Sequence, residues 1–151
     1  MEYKTFKIHE VFSDADFGRV VLEEDLIQPS NSSYNCEFLF SPSGKKIKAV
    51  LKAEPGGPHS WQRQFLDQLV HEYPSIESQL FEQLKADFSK IGIELKSENF
   101  QQEFLPVFLS LEQKGAPDQE WELNFTTVHD PEYLIIGSFR NWNLTGIDFI
   151  N

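Results

Sequence analysis

With 151 residues, 40% hydrophobic and 14% aromatic side chains, including 14 Phe, the chain is long and apolar enough to bury one core, and it reads as a single domain over 1–151. Its 13 Lys and Arg stand against 24 Asp and Glu, a net charge of −11. That balance excludes a protein that grips nucleic acid through clustered cations and disfavours docking on anionic membrane. The single cysteine, Cys36, allows no internal disulfide, no apolar run approaches the ~20 residues of a membrane span, and the N-terminus lacks a signal-like apolar stretch; a cytoplasmic setting is expected.

In chain order, Tyr3–Phe12 alternates apolar and charged residues and predicts a strand, as does Gly18–Leu26 after the turn-forming Ser13–Asp16. Tyr34–Phe40 and Lys46–Lys52 flank Ser41-Pro42-Ser43-Gly44, a hairpin signature. In the second arm Ile47, Ala49 and Leu51 share one face, with Lys46, Lys48, Val50 and Lys52 opposite; one wet face points to an antiparallel sheet. Pro55-Gly56-Gly57-Pro58 ends the hairpin, and Ser60 is a candidate N-cap for a helix with Trp61, Phe65, Leu69 and Tyr73 in line. Tyr73-Pro74 predicts a break, because proline disfavours helical angles in the residue before it. A second helix follows, with Ile76, Leu80, Leu84, Phe88 and Ile91 on one stripe, stopping at Gly92. The pair is expected to form a helical hairpin packed on one face of the sheet.

Strands return afterwards. Phe104–Leu111 contains Pro106 and reads as a bulged buried strand or as an edge. Lys114–Gln119 reads as a loop, and Glu120–Thr126 alternates strictly with Trp121, Leu123 and Phe125 inward. Tyr133–Phe139 and Thr145–Ile150 complete the order ββββ-αα-ββββ, an α+β domain with an antiparallel sheet.

Charge is divided along the chain. Residues 1–53 hold seven basic and eight acidic side chains, whereas residues 54–151 hold six and sixteen. A one-sided negative field steers cationic partners and raises association rates.

Catalytic constellations are missing from the sequence. His9, His59, His71 and His129 have no second His or Cys at ligand spacing. Asp14 and Asp16 open like a calcium loop, but Arg19 replaces the glycine at the sixth position. Ser43-Gly44-Lys45 lacks the upstream glycine of a phosphate loop. Cys36 alternates with Phe38 and Phe40, as a buried small hydrophobe would. No metal, cofactor or catalytic residue is therefore assigned.

The paired carboxylates carry the functional expectation. Glu120 and Glu122 project opposite Trp121, Asp118 precedes them, and Asp130 and Glu132 lie on the next turn. General acid catalysis needs a carboxyl in an apolar pocket, whereas alternation puts this pair on the polar face. These five acids are the candidate partner-binding residues, as charges that steer and fix register. Trp142, in a polar turn, is either an exposed interface anchor or a ring folded back on the sheet edge.

Taken together, the Phe17–Leu22 strand, the hairpin to Leu51, the helical region Trp61–Ile91 and the strands Trp121–Phe125 and 130–146 resemble small bacterial α+β proteins of the immunity type, encoded beside polymorphic toxins. The resemblance implies a non-enzymatic inhibitor that binds a toxin and blocks or distorts its active site. Nuclease toxins bind phosphates and are often basic, which an acidic surface would complement; no cofactor is expected. Two other classes remain open: a small enzyme or ligand-binding domain with a pocket between sheet and helices, and an accessory subunit that oligomerises through an apolar edge at Phe104–Leu111.

Overall fold

The computed structural model describes residues 6–54, 56–95, 98–115 and 118–150. Eight strands follow the chain in order: β1 (Phe6–Asp14), β2 (Gly18–Asp25), β3 (Ser33–Phe40), β4 (Lys45–Lys52), β5 (Phe104–Leu111), β6 (Glu120–Thr127), β7 (Leu134–Arg140) and β8 (Asn143–Ile150). They form one sheet in which spatial order equals sequence order. The expected start of the first strand at Tyr3 lies outside the described residues.

Between β4 and β5 runs one helix, α1 (Ser60–Lys90), where two were expected. Pro74 does not break it. A proline inside a helix costs about 3 kcal/mol through a lost hydrogen bond and a ring clash. Here Phe65, Leu69, Tyr73, Ile76, Leu80, Leu84 and Phe88 are all buried on one stripe that passes through the proline without losing phase. Each such side chain contributes about 1.5–3 kcal/mol on burial, so breaking the stripe would cost more than bending around Pro74, whose own side faces solvent. The spacing of those seven residues, read across the proline, was the available sign of continuity.

The start of α1 also departs from expectation. His59, with extended backbone, is the N-cap, and Ser60 is the first helical residue. The His59 N–H donates to Gln62 Oε1 at 2.7 Å, and Gln62 Nε2 donates to the Lys52 carbonyl at 2.6 Å. Gln62 is fully buried, and it fastens the end of β4 to the first turn of the helix. At the other end, Ile93 N–H donates to the Phe88 carbonyl and Gly92 N–H to that of Ser89, a Schellman closure at the expected glycine.

A helix of 31 residues spans about 46 Å, enough to carry the chain back along the whole sheet. Consequently β5 re-enters parallel to β4, with Ala49 opposite Leu109 and Leu51 opposite Leu111. All other neighbours are antiparallel, so the sheet is mixed at this one crossover, where a wholly antiparallel one was expected. A short helix, α2 (Phe100–Glu103), leads into β5 and was not foreseen.

Strand alternation directs one face to α1. Tyr34, Cys36, Phe38, Phe40, Ile47, Ala49, Leu51, Trp121, Leu123 and Phe125 are all buried there. Aromatic rings meet edge-to-face, as in Phe17–Phe38 (5.6 Å) and Phe40–Tyr73 (5.1 Å), so shape as well as area fixes the packing. Gly137 sits inward on β7, where a Cβ would lie 3.2 Å from Leu80 Cδ2. Its missing side chain lets the helix approach.

β5 is paired on both sides and carries a bulge between Pro106 and Phe108. The oligomerising edge expected at Phe104–Leu111 is thus an interior strand, because the α1 crossover lays β5 against β4. The sheet margins among the described residues are β1 and β8.

Candidate functional site

Opposite α1, the sheet is open. Around the ends of β5 to β8 it holds a depression of about 570 Å³ whose charged lining is Glu112, Asp118, Glu120 and Glu122 with Lys114 and Arg140. Four carboxylates face two cations.

The sequence builds this rim locally. In β6, Trp121 points inward at 3% exposure and stacks on Phe139, with ring centroids 4.3 Å apart; its neighbours Glu120 and Glu122 are therefore forced outward. The loop before β6 is tied to the β7–β8 turn by Asn141, which adopts φ 52°. Asn and Asp tolerate that left-handed conformation better than other side chains. Asn141 N–H donates to the Gln119 carbonyl (2.7 Å), Gln119 N–H donates to Asn141 Oδ1 (3.0 Å), and Asn141 Nδ2 donates to Asp118 Oδ1 (2.9 Å). Trp121 Nε1 donates to the Asn141 carbonyl at 2.6 Å. Asp118 and the indole are thus fixed by the same turn.

Arg140 Nη2 lies 3.1 Å from Glu120 Oε1, with both side chains more than half exposed. Such surface pairs contribute about 0–1 kcal/mol, so Glu120 is readily recruited by another cation. Glu122 is exposed on the same face.

The other two acids lie elsewhere. Asp130 organises the β6–β7 turn: Glu132 N–H donates to its Oδ1 at 3.0 Å, and Tyr133 N–H to its carbonyl. From Glu120 to Thr127 the chain is extended, so the turn sits about 23 Å from Glu120, at the opposite end of the strand. Asp118, Glu120 and Glu122 form one group; Asp130 and Glu132 form another. Trp142 is half-buried, stacked on Phe65 at 5.2 Å and tilted against Trp121 at 5.7 Å. It is the ring folded back on the sheet edge, and its carbonyl accepts from Gln79 Nε2.

Elsewhere, carboxylates are spent inside the fold. Asp14 and Asp16 both hold Arg63 of α1, Asp14 through Nη1 and Nη2 (2.8 and 2.5 Å) and Asp16 through Nη1 (2.6 Å). The Arg63 guanidinium holds the Asp14 carboxyl down at about 2, helped by the backbone N–H groups of Phe17 and Asp16 against the opposing effect of burial. Those aspartates serve as an anchor for the β1–β2 turn.

Sequence reasoning missed one buried pair. Glu103, at 3% exposure, shares a hydrogen bond with His129 Nε2, whose ring packs 5.6 Å from that of Phe88. Nothing in the sequence joins two residues 26 apart when the glutamate lies in a one-turn helix. Cys36 is buried as expected, and burial pushes its thiol up to about 12, away from nucleophilic chemistry. Among the described residues no group of three or more His, Cys, Asp or Glu is placed to hold a metal, and no helix is long and apolar enough to cross a membrane.

The depression contains hydroxyls, Ser110, Ser138 and Thr145, but no histidine or buried carboxylate beside them. Thr145 Oγ1 donates to the Ser138 carbonyl. An open, net-negative surface of this kind can attract and orient cations. No family model matches the chain, and neither curated proteins nor solved structures provide a match.

Proposed function

We propose that the chain is a binding module for a basic protein, acting as an immunity-type inhibitor that neutralises a cationic toxin in the cytoplasm. The observation that carries this reading is the open, four-carboxylate depression built on β6, on the sheet face opposite α1. Support comes also from the charge division, since residues 54–151 hold sixteen acidic and six basic side chains. Nuclease toxins must bind phosphate and so present cations, to which such a surface is complementary. The helix-facing side, by contrast, is filled by side chains such as Phe40, Phe104, Phe125 and Phe139, each at most 2% exposed. That packing favours surface recognition over a pocket between sheet and helix.

In this reading Asp118, Glu120 and Glu122 form the steering surface, while Asp130 and Glu132 contribute long-range field from the far turn. Trp142 supports Trp121 from beneath.

The test begins with capture of a basic protein from the native host by the purified chain, followed by association kinetics at several salt concentrations. The wild-type on-rate should fall steeply with salt. The double variant Glu120→Lys, Glu122→Lys should associate about tenfold more slowly with a flatter salt dependence, while its unfolding midpoint stays within the wild-type range. An on-rate unaffected by the double reversal would remove this surface from the mechanism.

A further inference from the structure

The last strand, β8, has β7 on one side and no strand on the other among the described residues. An unpaired edge offers a row of N–H and C=O groups to any extended chain that reaches it. Among the described residues, the first rung is closed from within. Gln79 of α1 donates from Nε2 to the Trp142 carbonyl (2.8 Å) and accepts from Leu144 N–H at Oε1 (2.9 Å), supplying with one amide the donor and acceptor of a neighbouring strand. Past that point, a groove of about 400 Å³ runs between α1 and β8, walled by Gln83 and Asp87 and floored by Leu144 to Ile147. At the far end Phe149 and Ile150 remain 42% and 48% exposed. The strand carries no Lys, Arg or Pro, the residues that commonly blunt an edge, and Asp148 is its one charge.

We infer that β8 receives an extended segment of the cationic partner by strand addition, with a basic side chain of that segment lying against Asp87 and an apolar one against Phe149. This deepens the proposed function and rests on it for the sign of the partner's charge. Charge also decides between occupants. Two copies of this chain each carry −11 and repel, whereas a cationic strand is attracted to the groove. The carboxylate lining the groove, Asp87, accepts from Gln83 Nε2 at 3.0 Å. Main-chain hydrogen bonds would supply affinity, and alternate side chains would supply selectivity.

The experiment uses the full chain labelled with ¹⁵N and a capped seven-residue peptide alternating Lys and Val. Amide signals of residues 143–150 should shift and their exchange with solvent should slow, while Glu120 and Glu122 stay unmoved. The same peptide with alternate backbone nitrogens methylated should bind at least about tenfold more weakly, since it cannot complete the ladder. Asp87→Lys should weaken the unmethylated peptide severalfold. Equal binding of the methylated peptide, no response at millimolar peptide, or self-association through β8 in peptide-free solution would each overturn the inference. Shifts confined to residues 118–122 would also overturn it, yet leave the proposed function standing. A chain that associates with no basic protein would overturn the proposed function and, with it, the cationic partner assigned to β8.

Discussion

Two acidic clusters of similar composition have opposite fates. Asp14 and Asp16, in the β1–β2 turn, converge on Arg63 and fasten that hairpin to α1. Asp118, Glu120 and Glu122, at and just before the start of β6, meet an exposed Arg140 and the Asn141 amide, with Lys114 on the same rim. Acidity by itself therefore says little about role. What separates the two clusters is whether the fold brings a cation from a distant element onto a carboxylate that is itself mostly buried: the Asp14 side chain is 9% exposed and that of Glu120 73%. The first cluster is a structural joint; the second stays exposed at the surface.

The comparison can be broken or sharpened by substitutions, and the greatest effect should come from the residue that separates the two exposed glutamates. Trp121→Ala removes a nearly inaccessible ring stacked on Phe139 and should cost about 3–5 kcal/mol, read as a lower urea midpoint. A loss below 1 kcal/mol would mean that Trp121 does not set the outward direction of Glu120 and Glu122.

Next comes His129→Ala, which takes the imidazole from the buried Glu103. We expect about 1–3 kcal/mol of destabilisation at neutral pH, measured by denaturant unfolding. An unchanged midpoint would place Glu103 with the exposed acids in energetic terms.

Arg63→Ala should cost about 1–2 kcal/mol at pH 7, allowing for solvent screening of a partly exposed guanidinium. Its pH dependence is the sharper measurement. Asp14 ionises at about 2 in the fold and at 3.8 when unperturbed. Its stabilisation is therefore present above the unperturbed value and is lost as pH falls towards 2. Wild type and Arg63→Ala should differ at pH 7 and converge near pH 2. A difference that persists through that range would show that Arg63 acts through packing, not charge.

The smallest effect is expected at the second cluster. Glu120→Gln with Glu122→Gln should leave stability within about 0.5 kcal/mol of wild type. A larger loss would mean that these acids, like Asp14, are structural.

Much of the fold was legible in the residues. The strand pattern of β3, β4 and β6 follows directly from alternation: Tyr34, Cys36, Phe38 and Phe40 are inward, and Glu120 and Glu122 outward. The helix was legible as a stripe but misread as two pieces at Pro74, because a local backbone rule was weighed without the burial that overrides it. Parallel pairing of β5 with β4 was invisible, since strand direction depends on where a 31-residue helix delivers the chain. The candidate site was partly legible. The outward facing of Glu120 and Glu122 was legible, but the assembly of the rim depends on Asn141, whose left-handed backbone no composition argument reveals.

Period-two and near-four-residue spacings of apolar side chains thus settled which residues enter the core and which carboxylates meet water, because burial and pleat are local consequences of covalent geometry. Which acids found a partner was settled only when distant segments met: Arg63 reached Asp14 across 49 residues, and Glu103 reached His129 across 26. Electrostatic contacts depend on through-space distance and shielding, and these exist only after the chain has closed on itself.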